Sequence, residues 1–401
     1  MRSPTGSSAR GIDVIVVGVG AMGSAACHHL ARRGKRVLGL ERYDIPHAMG
    51  SSHGVNRIIR LAYYEDPSYV LLLRRAYELW RQLEAGFGEQ LLYVTGSVDA
   101  GPADSQVFLG SRASCELHGL PHEVLTSAQL TTRFPGYRLS EGHMAVLQPE
   151  GGFVMSERAI VAHVSAALEH GAEVHGRERV LGWEETPGGV RVKTDRNVYE
   201  AGQLVLAAGA WTGALVPELT AVSVPERQVL GWFQPSRPAD FAPGRFPVFN
   251  LTVDEGRYYG FPVHGVPGFK IGRYHHLDEV VDPDDWHREP SPDDEAILRA
   301  AVSRYFPGAD GPALTLRSCL FTNTPDEHFV LDRLRGDSPV VVASPCSGHG
   351  FKFSAVIGEL IADLVIDGAP SLDIDLFRLD RFDVPREGRP RRAGATTDVS
   401  A

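Results

Sequence analysis

Asp13-Val14-Ile15-Val16-Val17 runs directly into Gly18-Val19-Gly20-Ala21-Met22-Gly23, and the pattern continues as a helix to Arg33. The β-branched run predicts a buried parallel strand. The three glycines predict a tight turn, a close approach of backbone to a pyrophosphate, and close contact between strand and helix, with the helix N-terminus facing the phosphates. A second apolar strand, Arg36-Val37-Leu38-Gly39-Leu40, ends in Glu41. An acid about 20 residues beyond the glycine turn accepts both ribose hydroxyls of an adenosine and disfavours a 2′-phosphate. Strand, turn, helix and acid in register predict an α/β fold with a Rossmann-like dinucleotide-binding domain, in which Gly18, Gly20, Gly23 and Glu41 bind the cofactor.

The chain has 401 residues, a formal net charge of -10 and four cysteines. That length predicts two domains and room for a large cofactor. The acidic balance and the lack of a basic face argue against nucleic acid. No apolar run approaches the ~20 residues that span a bilayer, and the first ten residues lack a signal-peptide core, so a cytoplasmic protein without membrane contact is expected. Cys27, Cys115, Cys319 and Cys346 are far apart, so no disulfide framework or structural metal is indicated.

Residues 1–10 and 386–401 read as disordered tails. After Glu41 a polar loop, 42–56, leads to a helix opened by Asp66 and Pro67, with Tyr69, Leu72, Leu73, Ala76, Tyr77, Trp80 and Leu83 at helical spacing, a core-packing stripe. From Gly151 helix and strand alternate, and Gln203 to Trp211 reads as a buried strand closing on Ala-Gly. Between Ser223 and Arg317 short strands, prolines and glycines predict an antiparallel sheet. Val340 to Ala343 is another buried strand, followed by a glycine turn and a helix from about Ser354 to Asp367. The nucleotide domain is therefore expected to be discontinuous, comprising 11–88, 151–222 and 318–385, with a second α+β domain from 89–150 and 223–317.

Three further motifs stand out: Gly54-Val55-Asn56-Arg57-Ile58-Ile59-Arg60, Cys319-Leu320-Phe321-Thr322-Asn323-Thr324-Pro325-Asp326-Glu327-His328-Phe329, and Ser347-Gly348-His349-Gly350-Phe351-Lys352-Phe353-Ser354. With the N-terminal fingerprint, they resemble the monomeric sarcosine oxidase and N-methyltryptophan oxidase family of flavoproteins over about residues 12–381. The resemblance implies a glutathione-reductase-type FAD domain and a monomer. It implies oxidation of secondary amino acids, N-methyl or cyclic, by hydride transfer to FAD, with reoxidation by O2 giving hydrogen peroxide and an imine. A dehydrogenase using another acceptor, or a non-catalytic flavin-binding protein, would share the fold.

By the same resemblance Cys319 forms a thioether to the flavin, which requires a basic neighbourhood to ionise the thiol; Cys346 precedes the glycine turn but does not match the family cysteine. Gly348 and Gly350 let the backbone approach a flat ligand, and His349 between them belongs to the cofactor-binding set. Arg60 and Lys352 clamp the substrate carboxylate, Arg as a planar fork and Lys as a point charge. Lys352 also counts among the flavin contacts. Lys270 activates oxygen, because a fixed cation stabilises superoxide as it forms. Tyr259 and His275 match substrate-pocket positions, although an apparent insertion at Arg273 leaves open whether His275 or His276 faces the pocket. His53, Arg57 and Val180 complete the cofactor-binding set. Phe321 stands where the sarcosine-type pattern has tyrosine, which removes a hydroxyl and leaves room for a bulkier or cyclic amine.

Overall fold

The computed structural model describes residues 11–382; the predicted tails, 1–10 and 386–401, lie outside the described residues. Strand Ile12–Val17, buried from Val14 to Val17, lies at the centre of an eight-stranded sheet. Strands Val37–Leu40 and Val198–Leu206 flank it, both parallel to it. Glu173–His175 extends the sheet beyond Val37–Leu40. On the other side Val198–Leu206 pairs with the hairpin strand Gly189–Thr194 and, through its second half, with Val340–Val342 in parallel. Val198–Leu206 and Val340–Val342 thus extend the parallel nucleotide layer from late in the chain. Helix Ala21–Arg32 packs on this sheet against helices Ser156–Glu169 and Ser354–Ile366. The aromatic stripe of helix Tyr69–Phe87 is buried against the same group, as its spacing predicts, with Tyr77 only partly covered.

A second eight-stranded sheet runs, in spatial order, Ala313–Asn323, Val224–Phe233, Phe269–Arg273, Gly256–Phe261, Val248–Val253, Ser97–Pro102, His143–Gln148 and Glu123–Thr126. It is antiparallel except where Val248–Val253 pairs in parallel with Ser97–Pro102. The predicted boundary at 317/318 falls inside strand Ala313–Asn323, which pairs with Val224–Phe233 along nearly its whole length. Three helices that the sequence reading passed over, Gln106–His118, Ser127–Arg133 and Pro292–Tyr305, accompany this sheet. A small third sheet joins Asn56–Ile59, Gly152–Met155 and Leu92–Val94.

Register decides what each face of the second sheet carries, because residues directly opposite one another across a sheet project to the same side. One transverse row reads Asp99, Asn250, Tyr259, Gly272, Leu230, Arg317, and the next reads Val248, Phe261, Lys270, Trp232, Thr315. Cys319 and Phe321 continue the same face by alternation from Arg317. The opposite face presents Val98, Val229, Phe249, Phe269 and Ile271 to helix Pro292–Tyr305 and forms a separate apolar core.

Candidate active site

A cavity of about 310 Å³ begins at the turn after Ile12–Val17 and ends against Leu320, Phe321, Thr322 and Gly348. At its start Gly18 has φ +88°, and a Cβ there would sit 2.5 Å from the Ala207 carbonyl oxygen, so only glycine fits. A Cβ on Gly23 would overlap the Gly18 carbonyl, which is why the first helix can lie against the turn. Glu41 is fixed beside it, accepting from the backbone N–H of Val19 at 2.9 Å and of Tyr43 at 3.0 Å. Gly20, Glu41, Arg57, Val180, Gly348 and Gly350 line this cavity; Gly23, His53, His349, Lys352 and Cys319 do not.

A smaller cavity shares Arg57, Phe321, Gly348 and Phe351 with the first and is otherwise walled by Ile58, Arg60, Asn250, Tyr259, Phe261, Tyr274, His349 and Lys352. Two cations meet there in a nearly dry setting. The Arg60 guanidinium lies 4.4 and 4.2 Å from the ring centres of Tyr63 and Tyr64, donates to the Ala62 carbonyl and is paired with Glu65. Burial opposes ionisation of Glu65, yet Arg60, His349 and Lys352 outweigh it and hold the carboxyl at about 2. Lys352 donates to the His349 carbonyl at 2.7 Å; burial and then Arg60 push its ammonium down to about 7. His349 is held by both nitrogens. Its Nε2 lies 2.9 Å from the Glu327 carbonyl, which can only accept, so Nδ1 accepts from the Tyr63 hydroxyl at 2.6 Å.

Lys270 lines neither cavity but lies behind the wall that joins them. Its ammonium donates to Gly54 O and Asn56 O, both at 2.8 Å, and to Asn56 Oδ1 at 2.9 Å. Burial and then Arg57 drive its pKa down. Three acceptors nevertheless match the three protons of the charged form and would leave a neutral amine one bond short. Phe261, its row neighbour, adds a ring 4.1 Å below the cation. Glu157 fixes this loop by accepting from Gly54 N–H at 2.7 Å and from Val55 N–H at 3.0 Å. His53 is buried close by with no partner for either ring nitrogen among the described residues. Burial and then Arg57 bring it down to about 3.

Cys319 is buried in the apolar cluster of Ile58, Tyr259 and Phe261. Burial dominates and leaves its thiol above the ordinary value, although Arg57, Lys270 and Arg227 pull the other way. The sequence neighbours Arg317 and His328 are therefore not the cations that matter most. Cys346 lines the larger cavity, where burial alone acts and pushes its thiol up to about 12.

His275, matched by the resemblance to a substrate-pocket position, lines neither cavity. Lys270 and Gly272 alternate onto the site face of strand Phe269–Arg273, so the next side chain on that face is Tyr274, which does line the smaller cavity. His275, at φ +50°, instead places Nδ1 2.8 Å from Glu226 and Nε2 3.1 Å from Glu327. His276 is fully buried and bonded to Asp294 at 2.9 Å. Asn250, Tyr63, Glu65, Asp99 and Glu157 were also missed. Each acts through a partner distant in sequence or through a turn, and none sits in a motif.

The profile of the FAD dependent oxidoreductase family matches residues 13–364. The chain belongs to that family. Within it, this FAD-dependent oxidoreductase is 41% identical over 371 residues to a monomeric sarcosine oxidase of Streptomyces avermitilis, covering 91% of this chain and 96% of the relative. It is 34% identical over 374 residues to the N-methyl-L-tryptophan oxidase of Salmonella typhimurium, covering 92% and 99%. Membership of the sarcosine oxidase and N-methyltryptophan oxidase group, expected from the motifs, is thereby established. Among solved structures, the open form of NikD, an unusual amino acid oxidase essential for nikkomycin biosynthesis, superposes with a TM-score of 0.80 at 26% identity, covering 91% of this chain and 96% of NikD. The larger cavity suits FAD, with a glycine cradle and a fixed acid at the nucleotide end and a wall shared with the cationic cavity at the other. Among the described residues no helix is long and apolar enough to cross a membrane.

Proposed function

We propose that this protein is an oxidase of secondary amino acids, N-methyl or cyclic, with FAD in the larger cavity and the amino acid in the smaller. The observation that carries the reading is the convergence of Arg60 and Lys352 on a small aromatic cavity that shares a wall with the larger one. A carboxylate is the ligand that two buried cations lining one cavity call for. Bound FAD supplies the two-electron oxidation of the CH–NH bond and returns the electrons to O2 as hydrogen peroxide.

The chain's own part is positioning. Arg60 and Lys352 hold the carboxylate, and Tyr259, Tyr274 and Phe321 confine the amine-bearing carbon against the shared wall and exclude water. Among the described residues no carboxylate or neutral histidine in the smaller cavity is free to take a proton from the substrate, since His349 is committed at both nitrogens. No dedicated base is required if the bound amine is already deprotonated. Lys270, behind the wall, supplies the fixed cation for oxygen reduction. Cys319 is the proposed attachment point of FAD, supported by its match to the family cysteine and by its place on the site face. Phe321, without a hydroxyl, suits amines bulkier than sarcosine. The free cysteines fit a reducing cytoplasm, and the relatives' names fit a monomer.

Anaerobic titration of the yellow holoprotein with N-methyl and cyclic amino acids tests the reading. Bleaching of the visible flavin band, followed on aeration by one hydrogen peroxide per turnover, is expected. A band that no secondary amino acid bleaches rejects it.

A further inference from the structure

The smaller cavity contains a buried amide that neither the carboxylate clamp nor the chemistry of oxidation uses. Asn250 is 2% exposed and stands on strand Val248–Val253 directly between Asp99 and Tyr259 in one transverse row. Its Nδ2 donates to Asp99 Oδ1 at 2.7 Å. The other carboxylate oxygen, Oδ2, accepts from the Ser111 hydroxyl at 2.8 Å, and the Arg60 Nε lies 3.9 Å from Oδ1. Burial raises the Asp99 carboxyl while Arg60 beside it favours the ionised form; that form only accepts, so it takes the amide NH2 and leaves the carbonyl oxygen at the cavity wall. That oxygen receives no hydrogen bond from the described residues. An apolar wall would serve a purely aliphatic substrate better, because a buried carbonyl without a donor costs free energy on every binding event that excludes water.

The geometry points to Asn250 Oδ1 as a specificity determinant that accepts a hydrogen bond from a donor on the substrate's side chain, so the substrates are secondary amino acids bearing a hydroxyl or amide N–H there. Asp99 is the positioning residue. It lies fully buried between the Asn250 amide and the Arg60 guanidinium, so one carboxylate orients the group that reads the side chain and stands beside the group that grips the carboxylate. Tyr259, on the far side of Asn250, packs over Gly272, where a Cβ would come within 2.6 Å of its hydroxyl. The tyrosine thereby leaves the middle of the row to the amide.

This inference rests on the proposed oxidase activity, and the test separates the two. The holoprotein is assayed for kcat/KM with two near-isosteric pairs, N-methylserine against N-methyl-2-aminobutyrate and N-methylhomoserine against N-methylnorvaline. The wild type should favour the hydroxyl member of at least one pair by about tenfold or more. Asn250→Leu, and Asn250→Val as a second variant should the first fail to hold FAD, should abolish that preference, read within each variant as the ratio of kcat/KM for the hydroxyl member to that for its apolar partner. If the wild type bleaches with both members of each pair but prefers neither, Asn250 is not a reader of side chains and the inference falls while the oxidase reading stands. If both members of the preferred pair lose activity equally in the variants, the amide contacts the common amine or only supports the fold, and the inference again falls. If no secondary amino acid bleaches the flavin at all, it is the oxidase reading that has failed.

Discussion

The Nη2 atom of Arg60 donates to both carboxylate oxygens of Glu65, at 2.9 and 2.7 Å. The cation assigned to the substrate therefore already has an internal carboxylate on it, and a bound amino acid must share or displace that partner. Glu65 keeps the guanidinium charged and folded against Tyr63 and Tyr64 rather than leaving it as a lone buried charge, which would be far more costly.

Arg60→Ala and Lys352→Ala should each weaken amino-acid substrates far more than secondary amines lacking a carboxylate. Loss of a charge-assisted contact in a buried site costs on the order of 2 to 4 kcal/mol, or roughly 30- to 1000-fold in kcat/KM. Arg60→Ala also strands Glu65, so melting temperature should fall. Adding Glu65→Gln should restore stability without restoring kcat/KM. Equal losses for both substrate types would remove the clamp.

Because Lys352 is held at about 7, a non-oxidisable carboxylate ligand meets a cation below that pH and a neutral amine above it. Its affinity should be flat below pH 7 and decline above by up to about tenfold per pH unit. Lys352→Met should give weak, flat binding. A wild-type profile level from pH 6 to 9 would show that this ammonium does not contact the ligand.

Acid-precipitated wild-type protein should stay yellow, since a thioether survives conditions that release dissociable FAD. Cys319→Ser should lose its colour and Cys346→Ser should keep it. A colourless wild-type precipitate refutes covalent attachment, and colour lost only in Cys346→Ser moves it to the other thiol.

Lys270→Met should leave anaerobic reduction by substrate nearly intact and slow reoxidation by O2 at least about a hundredfold, equivalent to about 2.7 kcal/mol of electrostatic stabilisation. The replaced side chain also abandons three carbonyl acceptors, so flavin content and melting temperature are measured alongside. Stopped-flow traces with unchanged reoxidation would assign oxygen activation elsewhere.

His275, held up at about 9 by Glu226 and then Glu327 against an ordinary value of 6.5, stabilises the fold only while charged. Its folded-state pKa lies above its unfolded one, so the contribution is complete below about pH 6.5 and is lost as pH rises through about 9. His275→Gln should melt lower than wild type at pH 6, with the gap closing by pH 10. A gap independent of pH would mean that packing, not charge, is what the variant loses.

What could be read in advance was what is local. The strand, glycine turn and helix from Ile12 to Arg32 are encoded within about twenty residues, and Glu41 follows at a fixed distance set by the βαβ unit. Arg60 and Lys352 sit in contiguous motifs, and both line the smaller cavity, as does Tyr259. Asn250 and Asp99 meet only because strands Val248–Val253 and Ser97–Pro102 pair in register, and nothing within either segment announces a neighbour some 150 residues away. Tyr274 was within reach, since alternation from Lys270 through Gly272 leads to it; assuming an insertion at Arg273 moved the expectation one residue on, to the other face. The helix Pro292–Tyr305 also carried its signals, with Ser291 as cap, Pro292 in the first turn and Asp293, Asp294 and Glu295 behind it.

Leu204 stands beside Val340 in the nucleotide sheet, and between them the chain builds most of the other sheet. During synthesis from the N-terminus, the first strands must wait beside an unfilled edge until residue 342 leaves the ribosome. Contacts of such separation are entropically late and leave apolar edges open to aggregation. Chains truncated before Val340 should accumulate as insoluble, colourless material, and cofactor loading should come after translation has finished.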